Sequence, residues 1–153
     1  MADQRRSTPL GAEALGRMNA TLYYLGLASL FTHELDAVTH SEWELLPILK
    51  GLSDAVAAPF FLALHVPLFF AILLLSHHAN RAVRETSRTV VAGFLVLHAV
   101  LHFSLSSTAG YGFNGALSRT LVFSAGGFGL AYLLIKRRRR NPAGAPPAMR
   151  TSP

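Results

Sequence analysis

Two stretches of this sequence, Ala55 to Ser76 and Thr89 to Ser107, run without a single Asp, Glu, Lys or Arg. Each exceeds the about 18 residues a helix needs to cross a hydrocarbon core about 30 Å thick. A third block, Thr120 to Ile135, is shorter but stops at Lys136 and four arginines, as a spanning helix does at a cytoplasmic surface. The first block, about Asn19 to Val38, is interrupted near its end by His33, Glu34 and Asp36. Residues 1–18 ahead of it are mixed and no small-residue cleavage site follows, so it reads as a helix and not as a signal peptide. A chain that is 51% hydrophobic and 14% charged makes a poor soluble domain. The expected fold is an all-α integral membrane four-helix bundle with spans at about 19–38, 55–76, 89–107 and 120–135. A polar N-terminal segment, 1–18, precedes it, and a basic stretch running into a Pro- and Ala-rich disordered tail, 136–153, follows.

The lysines and arginines set the orientation. With both termini and the segment around Arg81 to Arg88 inside, twelve of the fourteen basic residues are cytoplasmic; only Lys50 and Arg119 fall outside. Lys50 shares its loop with Glu42, Glu44 and Asp54, so the positive-inside rule predicts N-in, C-in topology in a multi-pass cell membrane protein. The sequence pI of about 10.5 does not signal nucleic acid, because the basic residues flank apolar spans instead of lying among exposed aromatics. The expected partner is the bilayer, with Lys136 to Arg140 against anionic headgroups, and a homo-oligomer is an open option. There is no cysteine, hence no disulfide and no thiolate ligand.

Depth along the spans gathers the histidines. At 1.5 Å rise per residue, His33 lies roughly 20 Å from the cytoplasmic boundary, His65 about 15 Å down, and His98 and His102 roughly 13 and 19 Å. All four fall between the midplane and the outer half. Helical phase puts His33, Asp36 and His40 on one face of the first helix with Ser29, whereas Glu34 points about 100° away. His98 and His102, four apart, project from one side of the third helix. Pro67, two residues after His65, cannot bond to the Ala63 carbonyl and weakens the helix there. The fourth span has no ionisable residue, only Ser124 and the small Gly126, Gly127 and Gly129, and reads as a closely packed scaffold. His40, Glu42 and Trp43 read as an outer-boundary group, and His77 and His78 as inner-boundary residues.

Ionisable groups inside a membrane are costly, so a cluster of them marks a site. Imidazoles and carboxylates suit a divalent metal, zinc or iron, and the i, i+4 pair His98 and His102 can supply two ligands. The candidate metal ligands are His33, Asp36, His98 and His102. Asp36 and Glu34 are the candidate catalytic carboxylates, and His65 is a candidate cofactor-binding or orienting residue. A haem between His65 and His98 is the lesser option. A proton- or ion-coupled carrier, or an assembly subunit without metal, is the alternative to a metal-binding and enzymatic function. A zinc-protease helix is excluded, because the position four after His33 is Ala37.

Leu22 to Trp43 contains Leu-Tyr-Tyr-Leu-Gly-Leu, Thr-His-Glu-Leu-Asp-Ala-Val and Glu-Trp. It resembles small four-span bacterial membrane proteins of unknown function that carry a His-Glu-Leu-Asp-Ala element in the first helix. It is also similar in layout to the wider membrane group named for a His-x-x-Glu-Glu motif. Here His33 is followed three and four residues on by Asp36 and Ala37, a departure from that motif. The resemblance implies a bacterial inner-membrane protein and implies no activity.

The topology is testable with reporter fusions. Fusions after Arg84 and at the C-terminus should report cytoplasm, and one near Ser53 the exterior; a reversal at any of the three contradicts the orientation.

Overall fold

The computed structural model describes residues 9–140. The described residues form four α-helices: α1 (Pro9–Thr39), α2 (Asp54–Ser76), α3 (Arg81–Leu105) and α4 (Ala116–Arg140). A 3-10 turn, Glu42–Leu45, lies between the first two, and no β-strand occurs among the described residues. Three of the helices, α2, α3 and α4, are long and apolar enough to cross a membrane. The first is as long but carries Asn19, two tyrosines, His33, Glu34 and Asp36 along its length.

Three helices begin well before the apolar blocks do, α4 at Ala116 and α1 and α3 by a wider margin. The polar segment expected before Asn19 is helical from Pro9, since proline is favoured in a first turn and the following Ala, Glu and Leu are good helix formers. The sequence Arg81 to Arg88, expected between spans, is the opening of α3. There the Asn80 side-chain oxygen caps the helix, accepting from the Ala82 and Val83 amides at 2.8 and 3.3 Å. That satisfies two of the backbone donors a helix start leaves open. The expected tail, 141–153, lies outside the described residues, as do Met1 to Thr8.

Packing follows a single stripe on each helix. On α1 the buried positions are Asn19, Tyr23, Gly26, Leu27, Leu30, His33 and Ala37, a repeat of three and four residues that faces one way. This face lies along α4, which in turn lies along α3. Glycines let α3 and α4 approach. A Cβ on Gly126 would sit 2.5 Å from the Ala99 Cβ, and one on Gly129 would sit 2.7 Å from the Ala92 carbonyl oxygen. Gly126 and Gly129 therefore act as the expected small-residue scaffold, whereas nothing lies within 4 Å of a Cβ on Gly127.

α2 is attached differently. It meets α1 through long side chains: Tyr23 to Ser76 at 2.5 Å, Tyr24 to His77 at 2.9 Å, and Phe31 to Phe69 with ring centroids 4.2 Å apart. Its other sides present exposed Phe60, Leu64, Val66, Phe70 and Leu74, as expected of a helix whose solvent is lipid. Trp43 bonds Asp54 at 3.0 Å and so pins the 3-10 turn to the start of α2.

Adding a methyl group at a contact made of backbone forces the helices apart. Gly126→Ala and Gly129→Ala should each lower stability in detergent by about 1–3 kcal/mol. Gly127→Ala should be neutral or mildly stabilising. Thermal unfolding of the three variants checks this, and equal effects at Gly127 and Gly129 would contradict the packing.

Candidate metal centre

Three helix positions and one turn position converge at the end of the bundle that carries the α1–α2 and α3–α4 connections. His33 lies near the end of α1, and His98 and His102 occupy the last two turns of α3. The i, i+4 spacing brings the two α3 imidazoles together, tilted at 54° with ring centroids 4.6 Å apart. His33 meets both rings edge-on, at 5.0 and 4.9 Å. The fourth member is Glu42. Ser41 adopts a left-handed conformation, φ 53°, which ends the run from α1 and turns the chain back so that Glu42 enters the bundle. Its two carboxylate oxygens each lie 3.5 Å from an imidazole nitrogen, Oε2 from His33 Nε2 and Oε1 from His102 Nε2.

All four residues are buried, and one donor atom from each lies within 4.8 Å of the others. Several of their polar atoms have no hydrogen-bond partner: both ring nitrogens of His33, Nε2 of His98 and Oε2 of Glu42. Buried polar atoms without partners are rare and costly. His102 is oriented from behind, its Nδ1 2.9 Å from the Tyr111 hydroxyl. With Nδ1–H donating to that hydroxyl, Nε2 keeps its lone pair for the centre. Phe113, fully buried, packs on His33 and His102 and closes the site from the α3–α4 connection. Burial pushes the Glu42 carboxyl up, but His102, His33 and His98 together outweigh it and hold the group below the ordinary glutamate value.

The chain brings together three of the four sequence-derived ligand candidates, His33, His98 and His102. Asp36, the fourth, lies one turn along α1 beside His40, with Oδ1 3.4 Å from His40 Nδ1; its Oδ2 is buried without a partner. Glu34 points to the α2 side, as its phase requires, and its Oε2 is 2.9 Å from His65 Nε2. His65 Nδ1 bonds the Phe61 carbonyl at 2.7 Å, so both of its ring nitrogens are engaged. A carbonyl accepts only, so Nδ1 carries a proton, and Glu34 and His65 Nε2 hold a further proton between them. Glu34 also lies near enough to Glu42 and His102 to interact with both electrostatically.

Glu42 is the residue that sequence reasoning left at the boundary. Both it and Trp43 are buried inside the protein. No spacing rule reaches Glu42, because it follows a helix end and a backbone reversal that periodicity does not describe. Tyr111 and Phe113 sit in the α3–α4 connection for the same reason.

A family model matches residues 19–139, described as a family of unknown function (DUF6713). The chain belongs to this family. Searches of curated proteins and of solved structures return no match. The matched region covers all four centre residues and the Glu34–His65 pair.

Proposed function

We propose that this member of the family is a four-span membrane protein, N-in and C-in, that holds one divalent metal ion on His33, His98, His102 and Glu42. The observation that carries this reading is the convergence of partnerless buried atoms from three elements. A cation supplies a partner to one nitrogen each of His33 and His98 and to the Glu42 carboxylate. Three neutral imidazoles and a carboxylate form a donor set suited to zinc or iron(II). A tetrahedral site with bonds of about 2.0–2.1 Å has ligand atoms about 3.3 Å apart. The two 3.5 Å imidazole–carboxylate separations already approach that.

In the proposed orientation the centre lies toward the outer half of the membrane, and the inner membrane of a bacterium is the setting that the sequence resemblance implies. Lipid-facing α2, α3 and α4 carry the apolar surface, while α1 tolerates its polar residues because its polar stripe faces protein. The Glu34–His65 pair beside the centre can accept or release a proton, the requirement for general acid–base work on a metal-bound substrate. A metal-dependent reaction is therefore the enzymatic form of the proposal, with Glu34 as the base and His65 orienting it. Asp36 and His40 would tune the same side of α1. A haem between His65 and His98 has less support, because both His65 nitrogens are already bonded. A carrier without metal leaves the four atoms unanswered.

Protein purified in mild detergent and reloaded with zinc or iron(II) should contain about one metal per chain by elemental analysis, without a Soret band. His98→Ala should lose most of it, and Glu42→Gln should still load but hold the ion more weakly. Tyr111→Phe should keep the stoichiometry but weaken affinity about 10–100-fold, as loss of a supporting hydrogen bond does. Binding by His98→Ala equal to that of the parent, or no binding by the parent, would contradict the proposal.

A further inference from the structure

The opposite end of the bundle holds a second concentration of charge. A cavity of about 540 Å³ opens between α1, α3 and α4, and its walls carry Arg81, Arg84, Arg88, Lys136 and Arg139 against one carboxylate, Glu85. Two of these cations, Arg88 and Arg84, are held in place by neutral groups. Arg88 donates to the Ser76 carbonyl at 2.9 Å and the Tyr24 hydroxyl at 3.0 Å, and its guanidinium lies over the Tyr23 and Tyr24 rings. Arg84 donates to the His78 and Ala79 carbonyls at 2.7 and 3.2 Å. Lys136 donates to the Glu85 carbonyl and to Thr89. Neutral acceptors fix the geometry of a cation and leave its charge in place. Glu85 is taken up by Arg81, 2.5 Å away.

Two further features mark the cavity as built. Asn19 lines it, is 7% exposed, and its side-chain oxygen has no partner. Its carboxamide adds a polar group to the α1 wall. Gly16, on the α1 wall, lies beside Arg139, and a Cβ there would be in ordinary contact with both terminal guanidinium nitrogens at 3.8 Å.

We infer that this cavity binds a dianionic phosphate group. The guanidinium fork matches phosphate oxygens in pairs, and basic pockets between membrane helices on the cytoplasmic side bind phosphorylated headgroups. A cavity of this volume is in the usual range for a small ligand. The phosphate belongs either to a phosphomonoester lipid or to a soluble phosphate, and the two share the recognition chemistry. The placement at the cytoplasmic face rests on the proposed topology; the cavity and its charges do not depend on the metal centre.

The test uses full-length protein in phosphatidylcholine nanodiscs, with thermal unfolding and equilibrium titration as readouts. Phosphatidic acid at 10 mol% of the lipid, or inorganic phosphate at millimolar levels, about the working range of a polar pocket, should raise the unfolding temperature. Phosphatidylglycerol, a phosphodiester, should raise it less. Arg84→Gln with Arg139→Gln should weaken binding at least about tenfold, each tenfold being about 1.4 kcal/mol. Arg137→Gln with Arg138→Gln removes the same charge outside the cavity and should change binding little. A response to phosphatidic acid alone assigns the phosphate to a lipid, and competition by inorganic phosphate assigns it to a soluble ligand. Arg139→Gln alone supplies the reading if the double variant fails to fold in plain phosphatidylcholine. No response to either phosphate, or equal losses in the two double variants, would overturn the inference. Metal content measured on the same samples separates that failure from failure of the metal centre.

Discussion

Polar atoms sealed away from water cost free energy unless another group answers them, and the upper end of this bundle seals in an unusual number. Both nitrogens of His33, one of His98 and one carboxylate oxygen of Glu42 are buried there without hydrogen bonds. The rest of the packing serves to bring them there. Gly126 and Gly129 let α4 lie flat on α3, and α1 then lies along α4 with the His33 face turned inward toward His98 and His102. A wider spacing at the glycine seam would separate the rings by more than an ion could bridge. Scaffold and centre are thus one construction, in which the small residues of α4 set the distance between the ligands of α1 and α3.

The partition of α1 shows how neighbouring residues take different tasks. His33, Glu34 and Asp36 fall within one turn, yet they reach three destinations: the buried centre, His65 on α2, and His40. Successive positions on a helix are separated by about 100°, so a run of polar residues can serve several faces at once. This is also why α1, although the longest of the four helices, is not among those apolar enough to cross a membrane. Some of its polar groups find partners across the bundle, Ser124 with Ser29 and Ser76 with Tyr23 among them, while Asn19, His33 and Asp36 keep buried atoms without one.

Much of this was legible in the sequence wherever a regular period governs position. The apolar blocks foretold α2, α3 and α4, and depth with phase brought His33, His98 and His102 to one place. Phase also separated Glu34 from His33. Periodicity fails at helix ends, and there the reading went astray. Glu42 reaches the centre only because Ser41 takes a left-handed backbone, and Tyr111 orients His102 from an irregular connection. His65 shared the depth of the other histidines, but α2 stands off from α1 on long side chains, so equal depth did not bring it into the group.

The central claim is that one ion answers the buried imidazoles and carboxylate, and X-ray absorption at the edge of the bound metal tests it most directly. The account predicts a first shell of only nitrogen and oxygen at about 2.0–2.1 Å, with the outer-shell scattering of three imidazoles. In Glu42→Gln the imidazole signal should persist while the average first-shell distance changes. A shell with one imidazole or none, or a spectrum unchanged when His33, His98 and His102 are each replaced by Ala, would contradict it.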